Sequence, residues 1–200
     1  MAKNSALLGL YFLLAFRVVE ASSACSGIMH VEEPRVVENQ QICTSEYSFD
    51  KIDVAYCQTD QGQATLYIYA KSNVGKHVYL KKSLKDDSYY IKPSLFTFGK
   101  AECADILIVD HGAEFSYGSM VFVMEKAKAT YAGMIDLVAN QNGDSIATHI
   151  RVIQNDNGEI TFSFDSDAYE ASPLGVYKKL LKNSFYYKYD KTKGLRINKQ

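Results

Sequence analysis

The sequence predicts a mainly β protein: a single antiparallel β domain, built as a sandwich, an open barrel or a curled meander, with at most one or two short helices. Three observations predict it. Short apolar–polar alternations recur along the chain, two Asn-Gly pairs interrupt its second half, and the composition holds 15 Tyr and 10 Phe but no Trp. Alternation with a period of two and aromatic enrichment are typical of strands, and Asn-Gly is a strong hairpin signal.

Individual strands follow from that alternation in chain order. The first contains Ile52, Val54 and Tyr56, and the continuous apolar run "DILIVD" at 105–110 has the composition of a strand buried on both faces. The other predicted strands lie at 64–70, 77–80, 119–125, 129–138, 146–153 and 159–165. A last hairpin is predicted to turn near Lys191 to Gly194.

The two Asn-Gly pairs and one proline set expectations for the second half. Asn142-Gly143 and Asn157-Gly158 predict type I′ hairpin turns, in which both residues have positive φ. Together they predict a three-stranded antiparallel meander over 129–165. Pro173 precedes "LGVYKKLLKN", and 174–183 is the segment in which a helix of about two turns is expected.

The N-terminus has the pattern of a cleaved secretory signal peptide, residues 1–24, which leaves 25–200 as one β-rich domain. Lys3 precedes the apolar run 6–16, which is too short to span a bilayer as a helix. Small residues allow cleavage after Ala21 or Ala24. The alternative, a membrane-anchoring helix, is opposed by Arg17 and Glu20. No further hydrophobic segment of spanning length follows, so the mature chain is expected to have no transmembrane segment.

Four cysteines, Cys25, Cys43, Cys57 and Cys103, form an even set that suits two disulfides in a secreted or periplasmic protein. Three connectivities are open; the preferred one pairs Cys25 with Cys43 and Cys57 with Cys103. A lipoprotein anchored at Cys25 is the alternative localisation. It would leave one odd thiol, and Ser22 stands where such sites usually carry a bulky aliphatic residue.

The clearest group of potentially catalytic residues is Asp110, His111 and Glu114, directly after the predicted buried strand. Carboxylates beside an imidazole are the groups that acid–base catalysis uses, and strand ends often carry functional residues. The same composition is that of a polar turn. The sequence favours a core strand over 106–109 and a turn over 110–118, with the three residues kept as catalytic candidates.

Two other groups could bind charged ligands. Asp165, Asp167 and Glu170 lie close together and are candidate cation ligands, although a solvated acidic loop explains them as well; no cofactor is expected. Eight basic residues lie between 176 and 200 against Asp190 alone. Seven of these form a candidate patch for an anionic partner, interleaved with Tyr186, Tyr187 and Tyr189: Lys178, Lys179, Lys182, Lys188, Lys191, Lys193 and Arg196. The alternative is a solvated edge hairpin whose lysines oppose aggregation.

These features favour a non-enzymatic binding or interaction module, such as an inhibitor, an immunity-type protein or an envelope accessory protein. Its partner would be a protein or an anionic surface; a formal net charge of −1 gives no general attraction to nucleic acid. A small hydrolase using Asp110, His111 and Glu114 is the second hypothesis. A carbohydrate-binding module is the third, with tyrosine serving in place of the missing tryptophan.

Overall fold

The computed structural model describes residues 25–36, 43–58, 63–72, 75–84, 88, 90–100, 102–114, 116–126, 128–170 and 178–200. The predicted signal peptide lies outside them. The described chain is mainly β, as predicted, with one 3-10 helix at Ala147–His149. The strands in chain order are β1 Gly27–Ile28, β2 His30–Glu32, β3 Arg35–Val36, β4 Ser45–Ser48, β5 Ile52–Gln58, β6 Ala64–Ser72, β7 Gly75–Leu84, β8 Tyr90–Thr97, β9 Asp105–Gly112, β10 Ser116–Glu125, β11 Lys128–Ile135, β12 Leu137–Val138, β13 Ile150–Gln154, β14 Ile160–Phe164, β15 Ala168–Glu170, β16 Lys178–Leu180, β17 Phe185–Asp190 and β18 Gly194–Lys199.

These strands form four antiparallel sheets. The central sheet has the order β11-β10-β9-β8-β2, and the N-terminal sheet runs β3-β4-β5-β6-β7. The C-terminal sheet runs β1-β13-β14-β17-β18, and a small sheet consists of β12-β15-β16. None of them closes into a barrel.

The central sheet lies between the other two large sheets, and β9 shows this most directly. Ile106 and Ile108 pack into a core shared with the C-terminal sheet, whereas Leu107 and Val109 pack into a core shared with the N-terminal sheet. Successive strand residues point to opposite faces, so a strand covered on both sides must be apolar at every position. The prediction that 105–110 is buried on both faces is confirmed.

The segment from β1 to β3 supplies one edge strand to each of the three large sheets. β1 pairs with β13, β2 with β8, and β3 with β4. Cys25, just before β1, is bonded to Cys103, just before β9. This disulfide attaches the segment that borders all three sheets to the approach of the most buried strand.

The preferred disulfide pairing was therefore wrong. The pairs are Cys25–Cys103 and Cys43–Cys57. Cys43 and Cys57 lie across the β4–β5 ladder, where the Thr44 N–H donates to the Tyr56 carbonyl at 2.8 Å. Strand pairing, which the cysteine spacing does not reveal, brought each sulfur to its partner.

Two predictions about the second half also need correction. The strands within 129–165 do not form one meander, because β11 belongs to the central sheet and β13 and β14 to the C-terminal sheet. The chain leaves the central sheet after β11, since β12 belongs to the small sheet, and the 142–143 turn closes only an isolated bridge between Val138 and Ser145. The expected helix is also absent where 174–183 is described, because β16 occupies 178–180 and a turn follows; 174–177 lie outside the described residues.

The hairpin at 157–158 and the one near 191–194 are confirmed, joining β13 to β14 and β17 to β18. The expected type I′ geometry is not found. Gly143 and Gly158 each have φ of +79°, but the preceding asparagines are not left-handed. In each pair, therefore, only the second position has a positive φ and needs glycine there.

Candidate functional site

Asp110 is a buried strand residue and not part of a turn, which corrects the expectation that 110–118 forms the connection. It lies in β9 and is 1% exposed. Its carboxylate accepts hydrogen bonds from Ser116 Oγ at 2.6 Å, Ser119 Oγ at 3.3 Å and the Tyr90 hydroxyl at 3.4 Å, and Ser145 supplies another hydroxyl. Burial raises the pKa of the Asp110 carboxyl above its ordinary 3.8, although hydrogen bonds from Ser116, Ser145 and Ser119 partly offset the rise.

His111 and Glu114 do not lie on one face with Asp110, although the charge of His111 partly offsets the rise in the pKa of the Asp110 and Asp136 carboxyls. His111 is the next residue along β9, so it points to the opposite face, and its ring lies 6.1 Å from the Tyr117 ring, centroid to centroid. Glu114 follows the strand and is exposed. Three clefts in the described part of the chain are lined by neither Asp110 nor His111. Asp110 and its hydroxyl partners therefore form a buried hydrogen-bond network at one end of the core.

The candidate cation ligands are each paired with a basic side chain. Asp165 accepts from His149 Nδ1 at 2.9 Å, and Asp167 lies 2.8 Å from Lys179 Nζ. Glu170 pairs with Lys199. Within the residues that the structure describes, no group of three or more His, Cys, Asp or Glu is arranged to hold a metal ion.

The basic candidates are divided between paired and unpaired side chains. Lys179, Lys188 and Lys191 pair with Asp167, Glu159 and Glu125 at 2.8, 2.5 and 2.6 Å. Among the described residues, Lys178, Lys182, Lys193 and Arg196 form no salt bridge, although the backbone N–H groups of Lys182 and Lys193 donate to Asp167 and Asp190. Lys182 precedes β17 and Lys193 follows it, so the strand, about 20 Å long, separates two small groups. Alternation also buries Tyr187 and Tyr189, leaving Tyr186 on the outer face.

A cleft of about 390 Å³ lies beside strands β14 and β17 of the C-terminal sheet. We call it the β14–β17 cleft. The ladder between β14 and β17 covers only Ile160–Phe162 against Tyr187–Tyr189, so the strands separate beyond it. The rings of Phe164 and Phe185, 4.9 Å apart between centroids, lie where they diverge. The remaining lining residues are Thr161, Ser163, Asn183, Tyr186 and Gln200.

Of these five residues, only Tyr186 was named from the sequence, as one of the tyrosines interleaved with the basic patch. Within the described residues, no hydrogen bond occupies the side chains of Thr161, Ser163, Asn183, Tyr186 or Gln200, and none of these side chains is charged. Asn183 holds the turn before β17 with φ of +66°, a conformation that asparagine tolerates better than most residues. The sequence feature that could have indicated some of them is the alternation in "ITFSF" and "FYYKY", which directs Thr161, Ser163 and Tyr186 away from the core.

A second buried carboxylate, Asp53 of β5, lies on the outer face of the N-terminal sheet and is also 1% exposed. Lys76 Nζ and Lys71 Nζ lie 2.6 and 3.1 Å from its oxygens. Burial raises the pKa of the Asp53 carboxyl, but hydrogen bonds from Lys76, Ser48 and Lys71 lower it more, and the net value falls below 3.8. The signal in the sequence was a single charge between Ile52 and Val54.

Comparison with known proteins adds no assignment: no family model, curated protein or solved structure matches this chain. No helix among the described residues is long and apolar enough to span a membrane.

Proposed function

We propose that the protein is a non-enzymatic binding module of an oxidising compartment, secreted or periplasmic, and that the β14–β17 cleft binds its ligand. One observation carries the proposal: five hydrogen-bonding side chains, which are not used within the described fold, line a cleft of about 390 Å³ together with Phe164 and Phe185. Polar groups that converge around apolar rings are characteristic of small-molecule sites. By contrast, the carboxylate of Asp110 is enclosed by the hydroxyls that it accepts from.

Export is supported by the cysteines, none of which is free in the described chain. The Cys25–Cys103 bond also bears on the lipoprotein alternative. A lipid anchor would be attached through the Cys25 sulfur, so one molecule cannot carry both the anchor and this disulfide. Intact-mass and N-terminal sequence determination of the exported protein tests this. We expect a start at residue 22 or 25, no lipid mass and two disulfides.

The binding proposal is tested by affinity capture on the immobilised, disulfide-bonded protein from the culture fluid or envelope of its source. Protein and carbohydrate in the eluate are both identified. Tyr186→Ala is the test variant, and Tyr67→Ala, which changes a half-buried outer-face tyrosine of the N-terminal sheet, is its matched control. We expect retention by the wild type and by Tyr67→Ala, and loss with Tyr186→Ala.

Two results would overturn the proposal. Retention that depends on Lys193 and Arg196 but not on Tyr186 would move the binding surface to the basic residues. Hydrolysis of ester, peptide or glycoside substrates that is abolished by His111→Ala, in a protein that remains folded, would make it an enzyme.

A further inference from the structure

The chemistry of the β14–β17 cleft specifies a ligand class more narrowly than binding in general. We infer that the cleft is a binding site for a neutral saccharide, with the Tyr186 ring as the stacking surface and the surrounding hydroxyls and amides as its hydrogen-bond partners. This inference rests on the proposed function and deepens it.

The first argument is the type of polar group in the cleft. Thr161, Ser163 and Tyr186 carry hydroxyls, and Asn183 and Gln200 carry amides. Hydroxyl groups both donate and accept, and each amide offers a donor and an acceptor at one end of the side chain. A sugar hydroxyl likewise both donates and accepts. A carboxylate ligand would use only the donors of such a site, and an ammonium ligand only its acceptors.

The second argument is charge. No Asp, Glu, Lys or Arg lines the cleft. Two cations lie opposite lining residues in the neighbouring ladders: Lys188 is paired with Thr161, and Arg151 is paired with Ser163. Lys188 lies 2.5 Å from Glu159, and Arg151 lies 3.9 Å from Asp165. Because each cation already has a carboxylate beside it, the cleft offers little attraction for an anionic ligand.

The third argument is shape. Small-molecule sites have volumes of roughly 300–1,000 Å³, and this cleft, at about 390 Å³, is at the small end of that range. Phe164 and Phe185 are buried in the core on the inner face of the sheet, whereas Tyr186 is half-buried on the outer face. A flat C–H face of a sugar can pack on such a ring while its hydroxyls reach the rim.

The test is a panel of neutral oligosaccharides (cello-, chito-, malto- and manno-oligosaccharides) beside two acidic polymers, polygalacturonate and heparin. Binding to the disulfide-bonded protein is screened on an array and measured by calorimetry at low and high salt. We expect at least one neutral oligosaccharide to bind with an affinity that salt does not change. Tyr186→Ala should weaken it about tenfold or more, since it removes the stacking surface.

Three further variants separate binding from folding. Tyr186→Phe keeps the ring and should retain most of the affinity. Asn183→Gly keeps the left-handed turn but removes the amide, and should weaken binding about fivefold. Tyr67→Ala should have no effect. Amide chemical-shift changes on titration should centre on residues 161–163 and 183–186.

Several outcomes would overturn the inference. One is that no neutral saccharide binds although the wild type retains a Tyr186-dependent partner in the capture experiment. The proposed binding function would then hold, and the saccharide inference would be wrong. Another is that only the acidic polymers bind, salt-dependently and irrespective of Tyr186. If neither experiment detects a Tyr186-dependent ligand, both proposals fail.

Discussion

Asp53 and Asp110 are each 1% exposed, but they lie in different parts of the molecule and their carboxylates have different kinds of partner. Asp53 is held by the ammonium groups of Lys71 and Lys76. Asp110 is held by serine and tyrosine hydroxyls. The pKa of the Asp53 carboxyl is consequently lowered and that of Asp110 raised.

The position of each residue in the stack of sheets explains the difference. Asp53 lies on an outer face, where the side chains of Lys71 and Lys76 reach over it and stay 32% and 53% exposed. A lysine there keeps much of its hydration. Asp110 lies between two sheets, where a lysine would have to be desolvated completely, at a large cost in free energy. Hydroxyls satisfy a buried carboxylate without adding a second charge.

The largest effect should come from Asp110→Ala. The substitution leaves the buried Ser116 and Ser119 hydroxyls without their acceptor, and each such loss costs about 1–3 kcal/mol. We expect the free energy of unfolding in urea at neutral pH to fall by about 3 kcal/mol. Asp110→Asn, which keeps one acceptor oxygen and removes the charge, should lose much less. Equal losses in the two variants would show that the charge, and not hydrogen bonding, holds this end of the core.

Asp53→Asn should have a smaller effect. Breaking a fully buried ion pair costs about 3–5 kcal/mol, but both lysines can turn into solvent here, so we expect about 2 kcal/mol in the same urea measurement. If Asp53→Asn lowered the free energy of unfolding as much as Asp110→Ala, the exposure of the two lysines would not reduce the cost of losing their carboxylate. The proposed difference between the outer face and the interior would then be wrong.

The pH dependence of stability should show the two aspartates acting in opposite directions. The lowered pKa of Asp53 means that the unfolded chain binds more protons just below pH 3.8, so its contribution is lost as pH falls through the folded pKa. The raised pKa of Asp110 means that the folded chain binds more protons just above pH 3.8, so its contribution is lost as pH rises through the folded pKa.

Urea unfolding between about pH 3 and pH 7 tests this. Asp53→Asn should make the acid loss of stability shallower, because it removes a group that stabilises the fold only when ionised. Asp110→Asn should make the loss steeper, because it removes a group that stabilises the fold more when protonated. Parallel profiles for the two variants would contradict the opposite pKa directions of the two carboxyls.

The smallest effect should come from Lys76→Met. Lys76 is about half exposed and Lys71 stays in place, so we expect a loss of about 0.5 kcal/mol. The more sensitive measurement is NMR titration of Asp53, whose pKa should rise towards its ordinary value. Lys81→Met is the control, because Lys81 lies on the same strand and contacts the Tyr67 ring instead of a carboxylate.

Much of the fold could be predicted because strand signals are local. Alternation identified β5, β6 and β14, and an uninterrupted apolar run identified β9 as covered on both sides. The meander over 129–165 and the disulfide pairing were wrong for a common reason: a turn signal or a cysteine count does not say which sheet a strand joins. That choice depends on contacts between residues distant in sequence.

The candidate site was less predictable. Asp110 and His111 were identified as polar residues at the end of a strand, but alternation within β9 places them on opposite faces of the central sheet. Thr161, Ser163 and Tyr186 are ordinary outward-facing strand residues in the sequence. They form a cleft only because β14 and β17 stop pairing after Phe162 and Tyr187.

The sequence by itself determined that the chain is mainly β, where most of its strands and its two confirmed hairpins lie, and which strand is the most buried. Period-two patterning and turn residues act over a few positions and can be recognised locally. The tertiary structure alone decided how the strands divide among sheets, which cysteines pair, how each buried aspartate is satisfied and where a cleft opens. Each of these depends on the distance between groups far apart in the sequence, which the packing of sheets on one another sets.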